Sequence, residues 1–542
     1  MQIFLYLCAQ IMKNIHMKTR FSLFALLVLT CQVLLAQTHI KVKDPNTWTT
    51  DELAPYVGQM VIFDVPIIVS SNASSPYTVS TRRLFTPTNQ AFPNTTAIKT
   101  VTSMNGKGAM QISGLPKELR CGDKIYNLKA RVTSTNRLEY LGGACENSRA
   151  YYDTVNVRRL VNIADCDTCL LVCTSNLENY FLVNPQNSYH SRQRAKVIDA
   201  LKHIDADLLG FVELECGDAA IKEIVSYLNS NLPHRNYGYV ADGTSASGTD
   251  TKAAFVYDKK VLKTYGELQI IGTGAGKARK AMQVFEQRSN GERFIYSVNH
   301  FKAKSGAGTG ADADQHDGQG SYNATRCQEA QAVIDLYKRL VPQLNQDKDI
   351  LIMGDLNAYA KEDPIRKFLD YGLIDLHRAY HADTSYSYQY GGLAGYLDHA
   401  ICSPSMYRQV CGAIGFHVNS DENDRYTYDK SSDQTMFRYS DHDPVLVGLR
   451  LDGSAATYDP KPEINNLEIL RGNATHLVIR DAESTDEQLS YYAIYDISGR
   501  PVVSAKKIES SIESVALPDA SGVYILYVYH KAKVYPYKFI VP

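Results

Sequence analysis

The hydrophobic and polar positions of the chain follow two periods, and the change of period divides it into regions. Residues 38 to about 160 form short segments in which polar and apolar residues alternate, for example YTVSTRRLF and KIYNLKARVTST, with Gly, Pro and Asn between them. Alternation at a period of two predicts β-strands, and turn residues at this spacing are typical of a small barrel or sandwich. We predict an all-β domain over residues 37–165.

Strand and helix patterns mix from residue 166 to residue 452. CLLVCTSNLENYF and ADLLGFVELE are apolar runs that predict buried strands, whereas SRQRAKVIDALKHI between them has its apolar residues at helical spacing. Later runs predict the strands KAAFVYD, RFIYSVNHFKAK, DILIMGDLNAY, YLDHAICSP and DPVLVGLRL and the helices ATRCQEAQAVIDLYKRLV and DPIRKFLDYG. This order predicts an α/β domain. A linker is expected at 453–464, and residues 465–542 return to short strands, which predict a second small β-domain.

The N-terminal sequence pattern predicts export, and the charge balance leaves the class of substrate open. The chain of 542 residues is long enough for several domains, and 57 basic against 58 acidic residues give no overall field toward nucleic acid or membrane. From Met17 the sequence has the pattern of a signal peptide that ends at Ala36, after an upstream extension of residues 1–16. Cys31 raises the alternative of a lipoprotein, but Thr30 is bulkier than such processing favours. We expect a secreted or surface-attached monomer without a membrane span.

Cysteine usage agrees with export. Nine of the eleven cysteines lie beyond Ala36, and most of them should pair in an oxidising compartment. Local spacing suggests the bridges Cys121–Cys145 and Cys402–Cys411. Cys166, Cys169 and Cys173 raise the alternative of a metal site, but no second Cys or His pair follows at zinc spacing, so we favour a disulfide there as well.

Acidic, amide and imidazole residues stand at six strand ends of the predicted α/β domain. They are Asn176, Glu178 and Asn179; Glu213 and Glu215; Asn299 and His300; Asp355 and Asn357; Asp398 and His399; and Asp441 and His442. Each alone is more often a turn, a cap or an exposed group, but a sheet would gather all six along one edge. Carboxylate oxygens suit Mg²⁺, Mn²⁺ or Ca²⁺ better than zinc, so the pattern predicts a divalent-metal site for phosphoryl transfer.

The same segments resemble a known family. NLEN, VELE, NHFKAK, GDLNAY, YLDHA and SDHDPV resemble, in this order, the motifs of the endonuclease/exonuclease/phosphatase superfamily, the pancreatic-deoxyribonuclease-like fold, over about residues 168–450. NATRCQEAQAV is similar to its secreted bacterial nuclease branch. The resemblance implies a four-layered sandwich of two mixed β-sheets flanked by helices. The first domain resembles the OB-like barrels of some extracellular nucleases, and residues 465–542 resemble the β-sandwich sorting domains of type IX secretion, which implies secretion machinery as a partner.

The resemblance also implies roles. It assigns Asn176, Glu213 and Asp441 to the metal end, His442 oriented by Asp398 to the catalytic histidine, His300 to a second histidine at the scissile phosphate, and Asp355 and Asn357 to positioning the nucleophile and a phosphate oxygen. Glu215 is a rival for Glu213 and would share its face of a regular strand, so we expect it to support the site. His442 is the expected general base, although acid and base could be exchanged between the two histidines and a mechanism centred on Asp355 is an alternative.

A Gly-rich segment, SGAGTGADADQHDGQGSYN, departs from the bare family core. Its residues Asp312, Asp314 and Asp317 suggest a calcium loop, but the glycine and glutamate that such a loop requires are missing, so we predict a mobile loop on the substrate side. Lys302, Lys304 and Arg326 are candidates for contacts to substrate phosphates, with solvated surface charge as the alternative.

These observations predict a secreted nuclease that hydrolyses DNA, with RNA as a further candidate, using Mg²⁺ or Mn²⁺, with Ca²⁺ as a further candidate. Little base specificity is expected because no base-reading motif is present. The alternative on the same fold is a phosphatase or a sphingomyelinase-like phosphodiesterase, although the sequence lacks a membrane-docking hairpin. A binding protein with a degenerate catalytic fold is a third hypothesis, and the intact set of site residues argues against it.

Overall fold

The computed structural model describes residues 38–451, apart from 73–74, 95, 184–187, 247, 273–278 and 345–347, and then residues 467–471, 476–481, 491–496, 500–508, 512–520, 522–530 and 533–541. The predicted upstream extension and signal peptide, and the predicted linker, lie outside the described residues. The described chain divides into two compact units, one of residues 38–83 and 106–146 and the other of residues 84–105 and 147–541. Among these residues no helix is long and apolar enough to cross a membrane.

The first unit is built on one seven-stranded sheet. Its strands are β1 Thr38–Ile40, β2 Met60–Phe63, β3 Ile67–Ser71, β4 Tyr77–Ser80, β5 Met110–Ser113, β6 Lys124–Ser134 and β7 Arg137–Cys145, with a 3₁₀-helix at Thr50–Tyr56. Because β6 pairs with both β3 and β7, and β5 pairs with both β4 and β7, five strands form a closed ring of pairings. Buried residues inside it include Phe63, Ile112 and Val132. Its assignment to the OB type stays a prediction.

The second unit contains the predicted α/β region. Its strands are β8 Leu170–Tyr180, β9 Leu208–Glu215, β10 Tyr237–Tyr239, β11 Thr251–Asp258, β12 Leu262–Ile270, β13 Lys280–Gln287, β14 Arg293–His300, β15 Ile350–Asp355, β16 Ile374–Asp375, β17 Tyr388–Tyr390, β18 Leu393–Gly395, β19 Asp398–Cys402, β20 Val410–Gly415 and β21 Val445–Leu449. Its α-helices are α1 Pro87–Gln90, α2 Thr96–Gly108, whose last three residues belong to the first unit, α3 Arg149–Thr154, α4 Val157–Leu160, α5 His190–Ile204, α6 Ala219–Asn231, α7 Asn323–Leu340, α8 Asp363–Asp370, α9 Leu376–His381 and α10 Pro404–Tyr407. Short 3₁₀-helices lie at Gly310–Asp312, Val341–Gln343, Ala382–Thr384 and Asp424–Tyr426.

Two six-stranded mixed sheets form the centre of this unit. One has the order β10-β11-β9-β8-β21-β20 and the other β12-β13-β14-β15-β19-β16. Strand side chains alternate between the two faces, so each sheet buries residues on both sides. Val172, Val212, Tyr296 and Met353 belong to one hydrophobic cluster that joins the two sheets. The opposite faces pack against α5 and α6 on the first sheet and against α7 and α8 on the second. The mixed α/β class expected from the sequence is thereby confirmed.

The C-terminal strands form two further antiparallel sheets. They are β22 Leu467–Arg471, β23 His476–Asp481, β24 Tyr491–Asp496, β25 Pro501–Lys507, β26 Ile512–Ala516, β27 Gly522–His530 and β28 Lys533–Val541. The orders are β22-β23-β26 and β25-β24-β27-β28, and buried residues of both sheets, including Leu477, Ile494 and Leu526, belong to one cluster. Whether this region is a secretion sorting domain stays a prediction.

The cysteines pair differently from the expected local bridges. Cys166 and Cys169 form a disulfide, which confirms the disulfide interpretation of that segment over a metal site. Cys145 and Cys402 carry free thiols, so the predicted bridges Cys121–Cys145 and Cys402–Cys411 are wrong. Sequence spacing failed because Cys402 lies fully buried within a strand of the second sheet whereas Cys411 lies on a strand of the first.

Candidate active site

The predicted site residues come from both sheets and meet at one edge. β8 and β9 run parallel, as do β14 and β15, and their carboxyl ends carry Asn176, Glu213, His300 and Asp355. Register pairs His300 with Asp355, and Asp355 in turn with Asp398 at the start of antiparallel β19. The loop that carries Asp441 and His442 leads into β21, which pairs with β8. Antiparallel strands enter where parallel strands leave, so chain topology brings these distant residues together.

The backbone is irregular where it presents these side chains. Glu178, Asn179, Glu213 and Asn357 all have positive φ, between 47° and 57°, although none is glycine. Such conformations cost about 1–3 kcal/mol each and persist where surrounding structure imposes them. The β8–β9 register is interrupted between residues 176 and 180, and this bulge turns the Glu213 side chain toward the site.

The bulge also separates Glu213 from Glu215. Regular alternation would place the two glutamates on one strand face, but the positive φ of Glu213 breaks the alternation, so that expectation is wrong. Glu215 is buried, and its carboxylate accepts hydrogen bonds from the backbone N–H groups of Leu182 and Val183 at 2.9 and 2.8 Å. These two hydrogen bonds tie the Glu215 carboxylate to the loop after β8.

Asp355 lies at the centre of the site. Its Oδ2 lies 3.8 Å from Nε2 of His300 and 3.8 Å from Nε2 of His442, and it accepts a 3.3 Å hydrogen bond from Nδ2 of Asn176. Its Oδ1 accepts a 2.8 Å hydrogen bond from the backbone N–H of Asn357. The same Asn176 nitrogen donates to Oε1 of Glu213 at 3.1 Å. One amide thus holds two carboxylates between the two histidines.

The imidazole of His442 is held by Asp398 and Tyr388. Its Nδ1 lies 2.7 Å from Oδ2 of Asp398, and that oxygen also accepts a hydrogen bond of 2.7 Å from Ser387. The ring of Tyr388 stacks on the imidazole with centroids 4.6 Å apart. With Nδ1 engaged, Nε2 faces Asp355 and the open side of the site.

The electrostatics of this edge favour a bound cation. Burial raises the pKa of Glu213, and it raises the pKa of Asp355 to about 6. Burial lowers the pKa of His300 to about 4, whereas at His442 the carboxylates of Asp398, Asp355 and Asp441 outweigh burial and raise the pKa well above its ordinary value. Clustered carboxylates therefore carry charge that burial disfavours, and positive charge among them would relieve it.

The donor set fits a divalent metal ion. Glu213, His300 and Asp355 each offer one ligand atom, and these atoms lie within 4.8 Å of one another; Asp355, Asp398 and His442 form a second such group. Asn176 presents its amide nitrogen rather than its oxygen to the carboxylates, so in this structure it orients them. Asp441 is half-buried and lies outside both groups, although it acts electrostatically on Glu213 and His442.

Glu178, one of the strand-end residues named from the sequence, had no expected role, and the structure places it in the site. Burial, and next the charge of Asp441, raise the pKa of its carboxyl to about 8. Its Oε2 is buried and has no hydrogen-bond partner. A carboxyl in that position beside Glu213 and Asp441 adds to the charge available for a cation. In the sequence nothing distinguishes it from its neighbour Asn179, because the bulge that directs it inward is a tertiary feature.

The three basic residues predicted to contact substrate lie in different environments. Arg326 is fully buried, and its guanidinium donates to the backbone carbonyls of residues 302, 319 and 321, so the structure does not support a substrate contact. Lys304 pairs with Glu362, which also accepts a 2.8 Å hydrogen bond from Thr88. Lys302 places its ammonium 4.4 Å from the centroid of the Tyr322 ring and is half-buried.

The Gly-rich loop uses its aspartates locally. Asp312 accepts hydrogen bonds from the backbone and hydroxyl of Thr325 near the start of α7, Asp314 accepts one from the backbone of His316, and Asp317 accepts two from Gln319. None belongs to a metal-ligand group among the described residues. These bonds account for the spacing that suggested a calcium loop.

Arg279 is a residue beside the site that was not predicted from the sequence. Lys280 pairs with Asn299 across β13 and β14, and one further step along the ladder places Arg279 opposite His300. Lys280 is ion-paired with Glu329, whereas Arg279 has no ion-pair partner among the described residues and its Nε is buried without a hydrogen bond. An unpaired guanidinium beside the site is suited to a phosphate oxygen.

Replacing Arg279 by alanine should therefore weaken substrate binding. We expect KM for the phosphate substrate to rise ~10–100-fold, the loss of one charge-assisted hydrogen bond of about 1.5–3 kcal/mol, with a smaller change in kcat. Steady-state kinetics of Arg279→Ala and Arg279→Lys measure this, with Lys280→Ala as the neighbouring control. Equal KM values for Arg279→Ala and the wild type would contradict a phosphate contact.

Comparison with known proteins agrees with this geometry. Residues 173–442 match the model of the Endonuclease/Exonuclease/phosphatase family. This segment is an endonuclease/exonuclease/phosphatase domain. Members of this family are phosphodiesterase or phosphatase hydrolases that use divalent metals. The match begins within β8 and ends at His442, so it spans every strand end of the site.

Three solved structures are examples of those that are similar to the chain. A family protein from Bacteroides thetaiotaomicron is 17% identical with a TM-score of 0.39, covering 54% of this chain and 98% of its own. A mannosyl-6-phosphatase from the same organism is 17% identical with a TM-score of 0.37, covering 52% and 100%. The catalytic domain of human Nocturnin is 13% identical with a TM-score of 0.37, covering 53% and 96%. A search of curated proteins finds no match.

Proposed function

We propose that the protein is a secreted, divalent-metal-dependent nuclease that hydrolyses phosphodiester bonds of DNA, with RNA as a second substrate, and with little base specificity. The observation that carries the proposal is the position of Asp355, whose Oδ2 lies 3.8 Å from an imidazole nitrogen of both His300 and His442. Two imidazoles and the Glu213 carboxylate thus converge on Asp355, where one phosphate would be within reach of all of them. Export is inferred from the N-terminal sequence pattern.

The residues of the site would have separate roles in hydrolysis. Asp398 fixes Nδ1 of His442, and the neighbouring carboxylates keep the pKa of this imidazole high. A cation that offsets those carboxylates would lower the pKa and free Nε2 to accept a proton from the attacking water. His300 lies on the other side of Asp355, where its Nε2–H would donate to a phosphate oxygen. Asn357 donates to Asp355 and to the backbone carbonyl of Phe301, so it holds the Asp355 carboxylate in place. A divalent cation held by Glu213 with Asp355 would supply positive charge against the non-bridging oxygens. Asn176 donates to the carboxylates of Glu213 and Asp355 and so orients both of them toward the cation.

A plasmid assay tests the proposal. The full chain with Mg²⁺ or Mn²⁺ should convert supercoiled plasmid into nicked and linear forms, and EDTA should reduce the rate to background because Glu213 and Asp355 then face the phosphate with uncompensated charge. Gel electrophoresis measures the products, and excess Mg²⁺ added after the chelator should restore cleavage. A protein inactive on DNA and RNA but active on a phosphomonoester or on sphingomyelin would replace this proposal with the phosphatase or sphingomyelinase alternative.

A further inference from the structure

The hairpin of β17 and β18 carries a row of tyrosines next to the catalytic histidine. In the segment SYSYQYGG, Tyr386 stacks on His417 with centroids 3.7 Å apart, and Tyr388 stacks on His442. The third tyrosine, Tyr390, is 73% exposed and has no ring, ion or hydrogen-bond partner among the described residues. Two rings of the row are therefore covered by imidazoles, and the third is open.

Tyr390 points to the same side of the hairpin as Tyr388. Both belong to β17, and residues two apart on a strand share a face, about 7 Å apart. Tyr388 lies against the imidazole of His442, so Tyr390 extends the same aromatic face outward, away from the catalytic centre. A ligand bound next to His442 and long enough to extend outward would therefore pass over the Tyr390 ring.

The hairpin holds Tyr390 in a fixed position. Gly391 and Gly392 form its two-residue turn with φ of 59° and 79°, the left-handed pair that a tight hairpin turn requires. On the outer edge, Ala394 exchanges backbone hydrogen bonds with Leu84 and Thr86, at 2.9 and 2.8 Å. Because the backbone is braced, stacking of a ligand on the Tyr390 ring would cost the rotamer freedom of that side chain but little backbone entropy.

We propose that Tyr390 is a stacking platform for a nucleobase of the substrate strand adjacent to the scissile phosphate. The inference rests on the proposed nuclease function and adds a substrate contact to it. A tyrosine face accepts any base, because each base has a π-face, so the contact would strengthen binding without selecting sequence. It would also favour substrates that carry a base next to the phosphate over those that carry only a sugar.

The test compares base-bearing and abasic substrates. A short fluorescent oligonucleotide has one cleavable phosphodiester among methylphosphonates, and two further versions lack the base on the 5′ or the 3′ side of that bond. Tyr390→Ala should lower kcat/KM on the full substrate by roughly 5- to 150-fold, mainly through KM, and Tyr390→Trp should retain it. On the abasic version that lacks the stacked base, wild type and Tyr390→Ala should be equal.

Tyr265→Ala is the matched control. Tyr265 is 38% exposed and covers Arg293, which stands at the opposite end of β14 from His300. It should leave all three substrates unaffected. If Tyr390→Ala loses the same factor on every version, or none on any, the platform is overturned while the nuclease proposal stands. A wild type that cleaves no version overturns both proposals. An effect of Tyr390→Ala confined to the two abasic versions would overturn the base platform and assign the ring to a sugar.

Discussion

Replacing His442 by alanine is expected to lower kcat/KM for DNA ~10²–10⁴-fold, the usual contribution of a positioned acid–base group. The reason is geometric: His442 joins a carboxylate partner, Asp398, to a nitrogen that faces Asp355. Alanine removes the proton acceptor and takes from Asp398 its imidazole partner, while the hydrogen bond from Ser387 remains. Initial rates on plasmid and oligonucleotide substrates measure the loss, with thermal unfolding as the check that the variant folds.

The chain offers a close control in His417. Its Nδ1 lies 2.9 Å from Oδ2 of Asp443, and its ring stacks on Tyr386, so it repeats the carboxylate and tyrosine contacts of His442 away from Asp355. His417→Ala should keep most of the activity even where it costs stability. Asp398→Asn should behave like His442→Ala, because it frees the imidazole from its fixed tautomer. Comparable activity of His442→Ala and the wild type would contradict the assigned role.

The parts of the site that follow from local pattern could be predicted. Polar residues at the ends of buried strands, such as Asp355 and His300, meet at one edge because parallel strands end together. The strand pattern in the sequence is enough to predict this. The pairing of His442 with Asp398 came from a family resemblance, since no local pattern joins residues 44 positions apart. Tertiary structure places them side by side by pairing β21 with β8 and β19 with β15.

Other parts depend on tertiary context that the sequence does not display. The bulge at Glu213 reverses the face expected from regular alternation, and it separates Glu213 from Glu215 although both precede the same turn. Arg326 stands in a helix that looks solvent-facing in sequence, yet its guanidinium is enclosed by carbonyls of the Gly-rich loop. Arg279 is the opposite case, a basic residue that the sequence does not mark but that the structure places beside the site. Only the fold shows which basic residues have acidic partners.

Replacing Glu213 by glutamine is the second change with a large expected effect. It keeps the size of the side chain and its contact with Asn176 but removes the negative charge that would hold the cation. We expect the apparent affinity for Mg²⁺ or Mn²⁺ to fall by at least ~10–100-fold, and the rate at a fixed metal concentration to fall at least as far. Calorimetric titration with Mn²⁺ measures the first quantity, and the dependence of cleavage rate on metal concentration measures the second.

Glu215→Gln separates a metal role from a folding role. Glu215 lies two residues away and is equally acidic, but its carboxylate accepts two backbone hydrogen bonds from the loop after β8. Its replacement should reduce stability by about 1–3 kcal/mol and leave metal affinity unchanged, because those bonds weaken when the acceptor loses its charge. If Glu213→Gln binds Mn²⁺ as tightly as the wild type and Glu215→Gln does not, Glu215 rather than Glu213 would be the metal ligand. A metal effect confined to Glu213→Gln places the cation at the edge where the two sheets meet.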